Sequence, residues 1–183
     1  MSKKIVMVPI FCESHLVKYQ IPNIIDTINP DIIVYNEGLM PSGPESQGLV
    51  EGFSEKYTLD GKRGFDYEEL KEIIEDAQLK YPDVKIILNE MDYTGVVDSP
   101  ACYTKACTNF EELGIDVQPG DYLFPYEGDV FHHEDSKKEI KHFEKFDGLK
   151  FFLINVEALS TKNGLKACEE FLRKHPYNIT IID

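Results

Sequence analysis

Four short apolar runs, at residues 4–11, 31–35, 84–88 and 121–126, most constrain what this chain can fold into. Each is too short for a helix and lacks apolar–polar alternation, the pattern of a strand buried on both faces. Helical periodicity fills the gaps between them. A helix is expected over residues 14–27, with Leu16, Val17, Ile21, Ile24, Ile25 and Ile28 on its buried side. Pro22 falls inside it and predicts a break or kink that splits the helix in two. A second helix, 66–80, begins with Asp66 and Glu69 in capping-box spacing and stops at Tyr81-Pro82-Asp83. Asp98-Ser99-Pro100 opens a third, running to about Leu113. Beyond the fourth run the pattern gives a charged helix at 136–146, a strand at 149–156, a helix at 165–174 and a strand at 179–182. Strands alternating with helices predict an α/β fold, a mainly parallel sheet flanked by helices. At 183 residues the chain is read as a single domain, 1–183.

Composition narrows the partners. The formal charge of −14 argues against extended contact with nucleic acid or an anionic membrane, both of which need a basic surface to displace counterions. The sequence holds no apolar run long enough to span a bilayer and no signal-peptide core. Its four cysteines form no C-x-x-C pair, so a reduced, cytoplasmic setting is expected. Residues 37–64, rich in glycine and proline without periodicity, read as a long loop beside a functional cleft. No G-x-G-x-x-G, Walker loop or G-x-S-x-G elbow is present.

In open parallel sheets, ligands bind at the carboxyl ends of the strands. The polar residues there are Glu13 after the first run, Asn36 and Glu37 after the second, and Glu127 and Asp129 after the fourth. Glu127 and Asp129 are two apart, so at a strand end both carboxylates can converge on one hard divalent cation. His132 and His133 adjoin that pair, and at most one of them faces the same way. Each residue also has a plainer role open to it. Glu13 is equally placed to complement a helix N-terminus, Asn36 and Glu37 to form a turn before Gly38, and Lys105 to sit solvated on its helix.

Taken in order, these segments resemble the nucleotide-sugar-binding half of inverting, family-2-like glycosyltransferases of the GT-A fold. Pro9-Ile10-Phe11-Cys12-Glu13 resembles the family's first-strand motif, and 31–38, ending Asn36-Glu37-Gly38, its second. Tyr93-Thr94-Gly95 through Lys105-Ala106 resembles its glycine turn and basic helix, and 120–129 its metal-binding Asp-x-Asp segment. The resemblance covers residues 4–146. It implies nucleotide binding by Pro9, Phe11, Glu13, Asn36, Glu37 and Lys105, and Mn²⁺ or Mg²⁺ held by Glu127, Asp129 and His132. The implied activity is transfer of a sugar from a nucleotide-diphospho-sugar to a sugar, lipid or protein acceptor. Cys12, Leu39 and Glu127 depart from the family's usual asparagine, serine or threonine, and aspartate. The family's general base lies beyond the metal motif, which implies a member short or truncated at the C-terminus. A non-catalytic binding or assembly domain and another metal-dependent enzyme acting on phosphates are the alternatives.

Overall fold

The computed structural model describes residues 2–38, 63–91, 106–126, 128, 131–132, 136–143, 153–155 and 178–180. Strand β1 (Lys4–Ile10) leads into helix α1 (Ser14–Ile28), and β2 (Ile32–Glu37) follows. Helix α2 (Tyr67–Lys80) precedes β3 (Lys85–Glu90), and β4 (Tyr122–Pro125) precedes α3 (Ser136–Phe143). Strands β1 to β4 form one all-parallel sheet in the order β3-β2-β1-β4. The expected α/β architecture is therefore present, a parallel sheet flanked by helices. Two short strands, β5 (Leu153–Asn155) and β6 (Asn178–Thr180), pair antiparallel in a separate two-stranded sheet.

Strand order decides which face each connection covers. Moving from β1 to β2 to β3 proceeds in one direction, and right-handed crossovers then put α1 and α2 on the same face. That face holds the larger core: Val6, Val8 and Ile10 of β1 and Ile33 and Tyr35 of β2 pack against Val17, Ile21 and Ile24 of α1 and Leu70 and Ile74 of α2. To reach β4 the chain must reverse and cross to the far side of β1. Its return covers the opposite face, where Ile115, Phe110, Leu113 and Val117 pack on Ile5, Met7 and Val34. Buried on both faces, β1 is the spine of the sheet, and each of its large apolar side chains contributes about 1.5–3 kcal/mol.

Two helices differ from expectation: the first is not split at its proline, and the third ends early. Helix α1 is continuous through Pro22. Leu16, Val17 and Ile21 before the proline and Ile24 and Ile28 after it are buried on one stripe, so packing keeps the helix unbroken against a cost of about 3 kcal/mol. The helix expected to reach Leu113 is helical at residues 106–108 and turns from there to Gly114. Asn109, whose amide donates to Asn36 Oδ1 of β2, lies just past the helix, and Gly114, at φ +62°, completes the turn. Residues 39–62 of the loop expected at 37–64, and the helix expected at 165–174, lie outside the described residues. Among the described residues, no helix is long and apolar enough to cross a membrane.

Candidate functional site

The carboxyl edge of β1 is built as a corner. Cys12 adopts the left-handed conformation, φ +57°, uncommon for a residue with a side chain, and this swings the chain out of the strand into α1. Glu13 is the N-cap residue, its carbonyl accepting from the Leu16 N–H at 2.9 Å while its side chain makes no capping bond. The capping is supplied from elsewhere. Ser14 N–H donates to Asp66 Oδ2 at 2.7 Å, and Ser14 Oγ donates to Glu69 Oε2 at 2.9 Å. Asp66 and Glu69 therefore do not form the capping box expected of them on α2. They stabilise the N-terminus of α1 instead, where negative charge complements the helix dipole.

The carboxyl edge of β2 is closed. Glu37 is 1% exposed, and its Oε1 accepts the Gly64 N–H at 2.8 Å. Arg63 Nη1 donates both to Glu37 Oε2, at 2.9 Å, and to its backbone carbonyl, at 2.6 Å. Burial raises the Glu37 pKa, while the Gly64 N–H and Arg63 oppose that rise. There is no spare room in this corner, since a Cβ on Gly64 would stand 2.9 Å from Asp66 Oδ1 and 3.0 Å from Cys12 Sγ. Burial also pushes the Cys12 thiol up to about 11, which disfavours the thiolate. Arg63 Nη2 reaches Glu90 Oε2 at 3.8 Å, and the Tyr67 hydroxyl donates to the same carboxylate.

Asn36 points to the opposite face of β2. Fully buried, it donates to the Ala106 carbonyl at 2.6 Å, and its Oδ1 accepts from Asn89 at 2.7 Å and from Asn109 at 3.0 Å. Strand parity separates the two neighbours: Glu37 binds the 63–66 turn on the α1–α2 side, while Asn36 ties β2 and β3 to the returning chain. Pro9 pairs in register with Asn36.

The carboxyl ends of β1 and β4 lie side by side, at the edge where parallel sheets take ligands, and the described chain after β4 runs along α1. Helix α1 stitches the chain after β4 to this edge through two amides. Tyr35 Oη donates to Gln20 Oε1 at 2.9 Å, and Gln20 Nε2 donates to the Gly128 carbonyl at 3.0 Å, a relay buried throughout. Asn23 accepts the His132 N–H at 2.7 Å and donates to the His132 carbonyl at 2.8 Å. Gly128 thereby meets Glu13, whose Oε2 lies 2.0 Å from the place a Cβ on Gly128 would take.

The structure thus brings Glu13 and the middle residue of Glu127-Gly128-Asp129 together. Glu127, Asp129 and Lys105 lie outside the described residues. His132 sits beside Asn23, ten residues down α1 from Glu13, about 15 Å of helix rise. Its ring stacks on Tyr126 with centroids 4.7 Å apart, its Nδ1 is buried without a hydrogen-bond partner, and burial holds its pKa down at about 3. Among the described residues, no group of three His, Cys, Asp or Glu side chains is placed to hold a metal ion.

No protein-family model, curated protein or solved structure matches this chain. The site therefore rests on its own geometry. Sequence reasoning overlooked Arg63, Gln20, Asn23 and Gly128. Arg63 and the two amides carried no local signal, because their partners are distant in the chain. Gly128 had one: a glycine between two acids is a place where another group can approach the backbone closely.

Proposed function

We propose that this protein is a GT-A-type, metal-dependent glycosyltransferase that takes a nucleotide-diphospho-sugar in the crevice between β1 and β4. The observation that carries the reading is the meeting of Glu13 with Gly128 beside the carboxyl ends of the neighbouring parallel strands β1 and β4. In this reading Glu127 and Asp129 hold Mn²⁺ or Mg²⁺, and the carboxylate of Glu13 beside Gly128 suits the oxygen preference of a hard cation. When bound, the cation offsets charge on the departing nucleoside diphosphate. Glu13 orients the donor at the crevice. The Arg63–Glu37 pair and the Asn36 cluster hold the two neighbouring strand ends rigid, so that binding does not have to organise them. The acceptor, a sugar, lipid or protein, is not assigned, and neither is a general base.

A charge of −14 makes the cation indispensable for binding a diphosphate. Isothermal titration with UDP-, GDP- and CDP-sugars is expected to show binding in Mn²⁺ and its loss in EDTA or in Asp129→Ala. Equal binding in EDTA, or normal binding by Asp129→Ala, rejects the metal role. One observation favours a second reading. Asn36 and Glu37, the residues matched to base and ribose contacts, are bonded to other parts of the protein, as expected of a non-catalytic binding or assembly domain that keeps the fold. Failure of every nucleotide-sugar to bind in either metal selects it.

A further inference from the structure

Two helix glutamines, Gln78 and Gln20, have both ends of the amide bonded, and they serve opposite edges of the sheet. Gln78 of α2 accepts the Ile86 N–H at 2.8 Å and donates to the Val84 carbonyl at 3.0 Å. Both partners lie where the chain enters β3, so this bridge fastens one turn at the amino edge. Gln20 of α1 works over a longer range. It joins Tyr35 of β2 to Gly128, 108 residues further along the chain and just past the carboxyl end of β4.

The Gln20 amide has one orientation open to it. The Gly128 carbonyl only accepts, so the amide nitrogen must face it, at 3.0 Å, and the oxygen takes the Tyr35 hydroxyl at 2.9 Å. Gln20 and Tyr35 are both 0% exposed, in a core of mainly aliphatic side chains. A methionine at position 20 fills a similar volume, yet it leaves the Gly128 carbonyl without this donor. The bond comes where the sheet no longer holds the chain. Among the described residues, the last backbone bond from the chain after β4 to β1 runs from the Tyr126 N–H to the Met7 carbonyl, at 2.8 Å. Gln20 takes hold two residues later.

We propose that Gln20 is a positioning residue for the candidate site: its amide, oriented by Tyr35, fixes the backbone at Gly128, the residue between the two acids assigned to the cation. The inference deepens the reading of this edge as a nucleotide-sugar site and rests on it. It also separates Gln20 from Gln78, whose comparable pair of bonds serves the fold alone.

The test compares the full-length wild type with Gln20→Met, Tyr35→Phe, their double variant and Gln78→Met, by titration with UDP-, GDP- and CDP-sugars in Mn²⁺. Urea denaturation sets a temperature at which every protein is folded. Gln20→Met should bind about tenfold or more weakly and Tyr35→Phe about threefold, with the double variant no weaker than Gln20→Met, as befits two groups acting in one relay. Gln78→Met should lower the urea midpoint and bind like wild type. Should Gln20→Met fail to fold, Tyr35→Phe against Gln78→Met carries the same comparison. Wild-type affinity in Gln20→Met, additive losses in the double variant, or an equal loss of affinity in Gln78→Met would overturn the proposal. If wild-type protein binds none of the nucleotide-sugars, the functional reading falls and this role with it, whereas binding that is unchanged in Gln20→Met removes the role alone.

Discussion

Glu37 and Glu13 end adjacent parallel strands, and the fold treats them in opposite ways. Glu37 is sealed at 1% exposure, with one oxygen on the Gly64 N–H and the other on Arg63. Glu13 stands partly buried beside the carboxyl ends of β1 and β4, against a glycine. A carboxylate closed in by a guanidinium and a backbone amide holds structure together. One beside the carboxyl ends of two neighbouring strands, against a glycine, is a candidate binding group. Equal chemistry at two strand ends thus separates into a structural corner and a candidate binding corner.

Breaking the structural corner should have the largest effect. Arg63→Ala leaves the Glu37 carboxylate buried without its cation, and urea denaturation at pH 7 should show a loss of about 3–5 kcal/mol. A loss below about 1 kcal/mol would mean that the pair is not what fastens the 63–66 turn. Next comes the opposite face of the same strand. Asn36→Leu strips the Ala106 carbonyl and the Asn89 and Asn109 amides of their partner, and should cost about 1–3 kcal/mol in the same assay.

How much of this was legible in sequence follows the range of the interactions. All four strands of the parallel sheet stood out as apolar runs, because burial on both faces marks every residue of a strand. The helix starting after Asp66 was equally visible, yet the partners of its first acids were not. Asp66 and Glu69 carry a local capping signature and bond Ser14, 52 and 55 residues away. Arg63, the partner of Glu37, lies 26 residues on, in a stretch without periodicity. Pro22 misled in the other direction: its local penalty was read correctly, but the apolar stripe on both sides of it outweighs that penalty. Composition and spacing report what a segment prefers, and the pairing of distant polar groups is written only in the folded chain.

Acid should expose a further difference between structural and binding groups. His132 titrates at about 3 in the folded protein against 6.5 unfolded, so the unfolded chain takes up its proton first as pH falls. Stability contributed in this way is complete above pH 6.5 and declines towards pH 3, by about 1.4 kcal/mol per pH unit. Glu37, with its raised pKa, acts in the opposite sense. His132→Phe keeps a ring against Tyr126 and removes the buried Nδ1, so in metal-free buffer its stability profile should lose that acid decline. A profile parallel to wild type between pH 6.5 and 5 would show that His132 is not buried in the neutral form.

The smallest effect on folding is expected at the binding corner. Glu13→Gln keeps the shape of the side chain and its ability to accept a hydrogen bond, and should change stability by no more than about 0.5 kcal/mol. A loss of several kcal/mol would make Glu13 a structural residue like Glu37 and erase the contrast between them.

The most direct test is therefore the affinity of Glu13→Gln for nucleotide-diphospho-sugars in Mn²⁺, measured by titration calorimetry beside wild type at matched fold stability. Binding by wild type that weakens about tenfold or more in Glu13→Gln is the predicted result. Equal affinity in the two proteins, or no binding by wild type with either Mn²⁺ or Mg²⁺, would contradict the assignment of the β1–β4 crevice as a nucleotide-sugar site.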